Sequence, residues 1–280
     1  MSKHPCQVGP IEIGGPGTPL VIIAGPCVLE EDAVTRRIGL FLRDLCRELG
    51  LPLIFKASFD KANRSSVGSP RGPGIHEGLA TLQEIGRELG VPVTSDVHEP
   101  HQAEVAAEHV DLLQVPAFLC RQTDLLVACA RTGRPVNVKK GQFLSPAEMA
   151  HVIDKLTASE AAGIVLTERG TFFGYQRLVN DFIGVADMAE FGHPVCFDVT
   201  HSTQLPGAGK GVTAGRPDRA LHLARAAAAV GVDALFLEAH PEPSTARSDA
   251  ATQQPFEAVD RMLREVVAVR GALEMIAVGD

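Results

Sequence analysis

The chain has 280 residues, of which 45% are hydrophobic and 21% are charged, a composition that predicts a soluble globular protein with a large core. Its formal net charge of −8 argues against nucleic acid as a partner. A polar N-terminus, no long apolar run and six cysteines without paired spacing argue against secretion and against a membrane partner. We therefore expect a cytoplasmic protein with reduced thiols.

Eight short runs rich in aliphatic residues recur along the chain, each followed by a longer and mostly amphipathic stretch. The predicted strands are Leu20–Ala24, Leu53–Lys56, Pro92–Asp96, Leu112–Val115, Val136–Lys139, Ile164–Thr167, Val195–Asp198 and Ala234–Glu238. After the first strand, Glu31–Leu49 spaces its apolar residues near the helical period, and Gly50 is predicted to end that helix. The same glycine signal recurs at Gly90 and Gly231.

Strands that alternate with helices predict parallel βαβ units. Eight such units favour an α/β fold of the TIM type, a single closed (β/α)8 barrel over residues 1–280, with a doubly wound open sheet as the main alternative. Residues 1–19 form an N-terminal extension before the first strand. Turn signals at Gly9-Pro10 and Gly14-Gly15 predict that it folds as a short hairpin over the bottom of the barrel.

The residues at the ends of these runs are suited to chemistry in every case. In chain order the runs lead to Cys27, Lys56, Asp96, Gln114, Lys139, Arg169, His201 and Glu238. A single polar strand end is more often a satisfied loop residue beside the rim. Because active sites of (β/α)8 barrels lie at the carboxyl ends of the strands, the coincidence across all eight predicts an active site there.

One group of these residues is cationic. It comprises Lys56, Lys61, Arg64, Arg121, Lys139 and Arg169. Positive charges crowded at a barrel mouth repel each other and lose hydration, so the set predicts that anions bind there, such as two phosphorylated substrates. Arginine suits forked phosphate contacts, and lysine acts as a compact point charge. The alternative is surface ion pairing, which is plausible for the neighbouring Lys140.

A second group, Cys27, His201, Glu238 and Asp249, offers sulfur, nitrogen and oxygen donors. The first and eighth strands of a closed barrel are neighbours, so these side chains are able to meet. The mixed donors suit a divalent cation such as Zn, Fe(II), Mn or Co without selecting one. Sequence spacing leaves open the commoner alternative for Cys27, a small buried hydrophobic residue.

Six segments together resemble the signatures of 3-deoxy-D-manno-octulosonate 8-phosphate synthases. They are Phe55–Ser66, Pro116–Leu125, Asn137–Phe143, Glu168–Gly170, Phe197–His201 and Glu238–Pro243. The resemblance runs in register from about Val21 to Pro255. It implies a barrel enzyme that condenses phosphoenolpyruvate with D-arabinose 5-phosphate and water, giving 3-deoxy-D-manno-octulosonate 8-phosphate and phosphate for lipopolysaccharide synthesis.

The resemblance also implies roles for individual residues. The implied substrate-binding residues are Lys56, Lys61, Asn63, Arg64, Ser65, Asp96, Phe118, Arg121, Lys139, Arg169 and Gln204. Among them, Lys61, Lys139 and Arg169 correspond to the phosphoenolpyruvate site. Asn63–Ser65 corresponds to the pentose phosphate site. The loop with Phe118 and Arg121 corresponds to one that reaches a neighbouring subunit's site, which implies a homotetramer.

The family has a metal-free branch with Asn after the first strand and a branch with Cys there that needs a divalent cation. Gly25-Pro26-Cys27 and Ser248-Asp249-Ala250 resemble the metal-dependent branch. The implied metal ligands are Cys27, His201, Glu238 and Asp249, and the implied catalytic residues are Lys61, His201, Asp249 and Cys27. Two long loops, Pro206–Gly215 and Ser244–Gln254, are predicted to close over the site.

Two other functions are open at this point. The related synthase that takes erythrose 4-phosphate, the 3-deoxy-D-arabino-heptulosonate 7-phosphate synthase, shows Lys-Pro-Arg-Thr-Ser where this chain has Lys61-Ala-Asn-Arg-Ser-Ser66. That difference favours arabinose 5-phosphate. A non-catalytic phosphosugar-binding barrel would have lost a strand-end residue, and none of the expected ones is missing.

Overall fold

The computed structural model describes residues 3–62, 68–207 and 214–278, and for residues 277 and 278 it describes only the backbone. In chain order the strands are β1 (Cys6–Val8), β2 (Ile11–Ile13), β3 (Val21–Gly25), β4 (Leu53–Lys56), β5 (Val93–Asp96), β6 (Leu112–Val115), β7 (Val136–Lys139), β8 (Ile164–Glu168), β9 (Val195–Asp198), β10 (Gln204–Leu205), β11 (Ala214–Gly215) and β12 (Ala234–Glu238). Strands β3 to β9 pair in sequence order and in parallel, and β12 closes the barrel between β9 and β3. The predicted (β/α)8 barrel is confirmed.

Helices cover the outside of the barrel. They are α1 (Asp32–Leu49), α2 (Ile75–Leu89), α3 (Pro100–Ala107), α4 (Thr123–Arg131), α5 (Met149–Ala158), α6 (Phe182–Ala189), α7 (Ala220–Val230) and α8 (Phe256–Val278). As predicted, Gly50, Gly90 and Gly231 end α1, α2 and α7 in the left-handed conformation that glycine adopts without strain. Among the described helices, none is both long and apolar enough to cross a bilayer.

Each predicted strand overlaps its observed counterpart, and the ends differ by at most one residue. Strand β3 extends to Gly25, β5 begins at Val93 and β8 reaches Glu168. The predicted loop Pro206–Gly215 is bounded by a two-residue ribbon in which Leu205 pairs with Ala214, and residues 208–213 lie outside the described ranges.

The inside of the barrel changes from apolar to charged along the strand direction. Side chains of a strand alternate between its two faces, so every second residue shares the interior. On β12 these are Ala234, Phe236 and Glu238, and on β9 they are Cys196 and Asp198. Phe236 and Cys196 belong to a buried apolar cluster, whereas Asp198 and Glu238 are buried charges one step further along. The last inward residue of each strand therefore stands at the carboxyl end of the barrel.

The N-terminal hairpin closes the opposite end. Cys6, Val8 and Ile13 are fully buried and pack in the same cluster as Val21 and Ala234, which begin their strands. The predicted hairpin cap is confirmed, and it begins at Cys6. With the floor sealed by apolar side chains, the barrel interior opens towards solvent at the carboxyl ends of its strands.

Candidate active site at the barrel mouth

A cavity of about 730 Å³ lies at the carboxyl ends of the barrel strands. Its lining contains nine of the predicted site residues: Lys56, Lys61, Asp96, Phe118, Lys139, Arg169, His201, Gln204 and Asp249. Cys27 and Glu238 are fully buried and contact residues of this lining. Arg121 is exposed and outside the lining, and Asn63, Arg64 and Ser65 lie outside the described residues. The structure therefore brings residues from distant parts of the chain to one place.

The predicted metal donors converge beside this cavity. Ligand atoms of Cys27, Glu238 and Asp249 lie within 4.8 Å of one another, which makes this group able to hold a metal ion. The Nε2 atom of His201 lies 3.5 Å from Asp249 Oδ2 and 3.8 Å from Glu238 Oε1. Glu238 Oε2 is buried without a hydrogen-bond partner among the described residues. A buried carboxylate oxygen left in this state is costly, and a cation would satisfy it.

The electrostatics of this cluster also fit a cation. Burial, together with the carboxylates of Asp249 and Glu238, raises the pKa of the Cys27 thiol well above its ordinary value. A thiol binds metal as the thiolate, which a divalent ion stabilises. Burial alone would lower the pKa of His201, but the carboxylates of Asp198 and Glu238 raise it. The same negative surroundings would stabilise a metal ion.

Asp198 was noted in the sequence only as a strand end, and the structure gives it two partners. Its Oδ2 accepts a hydrogen bond from Nδ1 of His201 at 2.8 Å and pairs with Nζ of Lys139. Its Oδ1 accepts from the backbone N–H of His201 at 2.9 Å. A carboxylate that holds Nδ1 fixes the orientation of the ring and leaves Nε2 for a ligand, as metal-binding histidines require. The three-residue spacing of Asp198 and His201 was the available sequence signal.

Lys56 and Lys139 are buried cations held by carboxylates. Lys56 Nζ lies 2.8 Å from Glu238 Oε1 and donates to the carbonyl of Cys27 at 2.9 Å. Lys139 Nζ pairs with Asp198 and stands 3.2 Å from the ring centroid of Phe236. Burial lowers the pKa of Lys139, and the charge of Asp198 opposes that shift. Lys56 thus offsets the negative charge of Glu238 in the donor cluster. Lys139, which lines the cavity, is linked to that cluster because Asp198 contacts both Lys139 and His201.

Arg169 and Lys61 keep bonding capacity for a ligand. Arg169 Nη2 donates to Gln204 Oε1 at 2.6 Å, whereas its Nη1 is buried and has no partner among the described side chains and backbone. Burial lowers the pKa of Arg169, but an arginine remains charged. Lys61 Nζ lies 3.8 Å from Asp96 Oδ2, beyond direct hydrogen bonding. Because an unsatisfied buried donor is costly, Arg169 Nη1 marks a position for an anion.

A row of polar side chains crosses the barrel beneath the cavity. Thr167 Oγ1 donates to Asn137 Oδ1 at 2.6 Å, and Asn137 Nδ2 donates to Gln114 Oε1 at 3.1 Å. Gln114 then donates to Asp96 Oδ1, and Ser58 donates to Asp96 Oδ2 at 2.7 Å. The row holds the Asp96 carboxylate in one orientation at the cavity floor. Sequence reasoning missed it because polar residues in a strand do not identify their partners.

Lys140 corrects one interpretation from the sequence. Surface ion pairing was the plausible alternative for it. Its side chain does form an ion pair, 3.3 Å from Glu168 Oε2, but it is fully buried, and it also donates to the carbonyl of Leu144 at 3.1 Å. Glu168 also accepts a hydrogen bond from the backbone N–H of Gly170 at 2.5 Å. The pair therefore ties the loops after β7 and β8 together and fixes the backbone that carries Arg169.

Comparison with known sequences agrees with this geometry. The sequence model of the DAHP synthetase I family matches residues 5–273. The chain belongs to the DAHP synthetase I family. Among its relatives, a 2-dehydro-3-deoxyphosphooctonate aldolase of Geobacter metallireducens is 50% identical over 262 residues, covering 94% of this chain and 96% of that protein. Proteins of the same name from a Cyanothece species and from Syntrophotalea carbinolica are each 48% identical, covering 95% and 94% of this chain and 98% and 95% of their own lengths.

In this member of the DAHP synthetase I family, the buried Asp96 carboxylate is expected to make the free energy of unfolding depend on pH. Burial alone would raise the pKa of Asp96, but the ammonium groups of Lys56 and Lys61 outweigh burial and hold it well below the ordinary value of 3.8. The stability contributed by this charge is therefore present above pH 3.8 and is lost as the pH falls further. We expect Asp96→Asn to cost about 3 kcal/mol of unfolding free energy near neutral pH, because it removes the buried carboxylate that offsets the charges of Lys61 and Lys56.

Urea titrations of both proteins check this, since their unfolding free energies should differ near neutral pH and converge below pH 3.8. Asp44→Asn is the matched control, because Asp44 is exposed on α1 and pairs only with its neighbour Arg43 among the described residues. A difference that persisted undiminished in acid, or an equal loss in the control, would contradict the assignment.

Proposed function

We propose that this chain condenses phosphoenolpyruvate with D-arabinose 5-phosphate and water, giving 3-deoxy-D-manno-octulosonate 8-phosphate and phosphate for lipopolysaccharide synthesis. It is an enzyme, a carbon–carbon bond-forming transferase. The observation that carries the proposal is the buried Nη1 of Arg169, which has no partner within the described ranges and lines the same cavity as Lys61 and Lys139. The chain is also about half identical to a phosphooctonate aldolase over nearly its whole length. The family model alone does not choose the aldehyde, whereas the relatives' names favour the eight-carbon product over the heptulosonate product.

Phosphoenolpyruvate would bind at Arg169, Lys139 and Lys61. Its carboxylate and phosphate would supply negative charge to Arg169 Nη1, which has no partner among the described residues, and to the two lysines beyond what Asp198 and Asp96 provide. A guanidinium fork accommodates two oxygens of one anion, so Arg169 Nη1 would donate to the ligand while Nη2 stays on Gln204. Lys139 would donate one N–H to the ligand while it stays paired with Asp198. Lys61, 3.8 Å from Asp96, would contact the opposite end of phosphoenolpyruvate. The bound anion would thereby offset the cost of burying these cationic side chains at the barrel mouth.

Arabinose 5-phosphate would bind towards the segment that follows Lys61. The backbone N–H of Lys61 donates to the carbonyl of Arg71 at 2.8 Å, so the two ends of the segment with Asn63, Arg64 and Ser65 meet beside the cavity. Those three residues would hold the sugar phosphate. Asp96 and Gln204, both in the cavity lining, would contact sugar hydroxyls or the reacting carbons.

In the reaction, the methylene carbon of phosphoenolpyruvate forms a bond to the aldehyde carbon of the sugar. Water adds to the second enol carbon, and one of its protons goes to the former aldehyde oxygen. The other proton leaves with phosphate when the carbon–oxygen bond breaks and the ketone forms. The chain contributes by holding both substrates in contact and by offsetting their charge with fixed cations.

Cys27, His201, Glu238 and Asp249 would hold a divalent cation, and sulfur, nitrogen and oxygen donors together suit Zn, Fe(II), Mn or Co. When bound, such an ion supplies a Lewis acid that polarises an oxygen or lowers the pKa of a water. Lys56 would then keep the cluster from excess negative charge through its contact with Glu238.

A homotetramer would cover the aromatic side chains that surround the mouth. Phe173 and Tyr175 are 96% and 95% exposed, and Phe118 and Phe143 are also exposed. The loops that carry them adjoin, because Phe172 N–H donates to the Gln142 carbonyl and the loop at Gly141 lies against Ala117. Large exposed apolar patches are typical of interaction surfaces. The Phe118–Arg121 turn would reach a neighbour's site from this surface.

Sedimentation velocity of a double variant, Phe173→Ser with Tyr175→Ser, checks the assembly. We expect the parent chain to sediment as a tetramer and the variant as smaller species, because the variant removes the two most exposed aromatic side chains of the proposed surface. Met275→Ser with Ile276→Ser is the control, since these residues are also strongly exposed but lie on α8. A monomeric parent, or a variant that remained tetrameric, would contradict the proposed surface.

A phosphate-release assay with each aldehyde tests the function itself. With phosphoenolpyruvate present, we expect rapid release with arabinose 5-phosphate and at least about tenfold slower release with erythrose 4-phosphate, a difference of about 1.4 kcal/mol in the barrier. Faster turnover of erythrose 4-phosphate would assign the heptulosonate synthesis instead. Binding of both substrates with no release would leave only the non-catalytic phosphosugar-binding barrel.

Removal of metal tests the donor cluster. We expect a chelator to reduce phosphate release to background and Mn²⁺ or Zn²⁺ to restore it, because the reaction would then lack the Lewis acid that the donor cluster holds. Cys27→Asn should reduce the dependence on added metal, since the resemblance implies a metal-free branch with Asn at this position. Full activity of the chelated parent would rule out the metal assignment.

A further inference from the structure

The segment from Ala246 to Ala251 carries Asp249 and lines the cavity. Asp249 has a φ of +48°, a left-handed conformation that residues other than glycine rarely adopt. Such a conformation persists only where surrounding contacts hold it. Asp249 Oδ2 is also the atom that approaches Cys27 and His201, so the fold of this segment determines whether the donor cluster forms.

Glu30 is a buried carboxylate that contacts this segment from another part of the chain. It follows Cys27 by three residues, and its side chain is 7% exposed. Its Oε1 accepts a hydrogen bond from the backbone N–H of Arg247 at 3.1 Å. Arg247 precedes Asp249 by two residues, so this bond fixes the backbone immediately before the donor.

The other oxygen of Glu30 faces His240. The Nδ1 atom of His240 accepts from the backbone N–H of Glu242 at 3.0 Å, so the ring proton lies on Nε2. That Nε2 is buried, 3.6 Å from Glu30 Oε2, and forms no hydrogen bond within the described residues. His240 follows β12, so the carboxylate stands between the loop after the first barrel strand and the loop after the last.

The segment also has contacts of other kinds, among them those within its own loop, where the Asp249 carbonyl accepts from the backbone N–H groups of Thr252 at 2.9 Å and Gln253 at 3.1 Å. Ser248 Oγ accepts from Cys27 Sγ at 3.0 Å, but that contact uses a donor atom of the cluster itself. The guanidinium of Arg247 lies 3.5 Å from the exposed carboxylate of Glu31, where water screens the interaction. Gln253 Nε2 donates to the Ser248 carbonyl from within the same loop.

We infer that Glu30, supported by His240, is a positioning residue that fixes the Asp249 segment and thereby preorganises the donor cluster. The inference rests on the proposed metal site, but it concerns the conformation of the protein before a metal binds. Residues that orient metal ligands typically change metal affinity by about 10- to 100-fold when they are replaced. Glu30 acts without touching the metal donors, through one backbone hydrogen bond.

The test compares Glu30→Ala, Glu30→Gln and Glu31→Ala in the full-length protein. Amide hydrogen exchange of residues 247–251 is measured on metal-free protein, and Mn²⁺ affinity is measured by competition with a chelator. We expect Glu30→Ala to speed exchange in this segment and to weaken Mn²⁺ binding about 10- to 100-fold. Glu30→Gln keeps an acceptor for Arg247 and should retain most of both properties. Glu31→Ala removes only the exposed contact and should match the parent.

A second pair of variants tests the same hydrogen bond from its donor side. Arg247→Pro removes the backbone N–H, and Arg247→Ala keeps it while removing the side chain. We expect only the proline variant to reproduce the effects of Glu30→Ala, which also covers the case in which Glu30→Ala does not fold. Unchanged exchange and affinity in both Glu30→Ala and Arg247→Pro would overturn the inference. So would faster exchange throughout the protein, which indicates a general loss of stability.

The outcome is separable from that of the proposed function. A parent chain that binds no Mn²⁺ would refute the metal site, while hydrogen exchange of residues 247–251 would still show whether Glu30 holds the segment. Conversely, an active, metal-dependent enzyme whose Glu30→Ala variant keeps the parent's exchange and affinity would refute only the positioning role.

Discussion

Buried ion pairs at the carboxyl ends of the strands hold the mouth of this barrel together. Lys56 with Glu238, Lys139 with Asp198 and Lys140 with Glu168 are all nearly inaccessible to water. A buried charge without a partner is strongly destabilising, so each pair constrains both of its strands. Arg169 is the exception, because its Nη1 has no partner among the described residues. The mouth is therefore a site in which most charges are neutralised internally and one position is left for an anion.

The pairing scheme also explains how two kinds of chemistry share one rim. Glu238 and Asp198 each hold a lysine, and both approach His201, so the cationic wall and the donor cluster are joined through the same carboxylates. Phosphoenolpyruvate bound at Arg169 and Lys139 would consequently lie beside the proposed metal donors. On the other side of the cluster, Glu30 would hold the backbone next to Asp249. The protein scaffold would then set the distances between the donor atoms before any ligand binds.

Much of this was predictable from the sequence, for identifiable physical reasons. The alternation of strands and amphipathic helices specified the barrel, and the rule that parallel strands end at one rim placed Lys61, Lys139, Arg169 and His201 in one cavity. Pairings between side chains were not predictable. Surface ion pairing was plausible for Lys140 because a run of two lysines contains no information about Glu168, which lies on the next strand. The contacts of Asp198, Gln114 and Glu30 were missed for the same reason, since they depend on distances that only the closed barrel sets. The roles of Asn63, Arg64, Ser65 and Arg121 stay predictions.

The most direct test of the account is a crystal structure of the chain with phosphoenolpyruvate bound. We expect the ligand's oxygens within hydrogen-bond distance of Arg169 Nη1 and Lys139 Nζ, with Asp198 still on His201 Nδ1. Phosphoenolpyruvate bound away from Arg169, or an Arg169 Nη1 that remained unpartnered in the complex, would contradict the claim that the mouth is built around an anion.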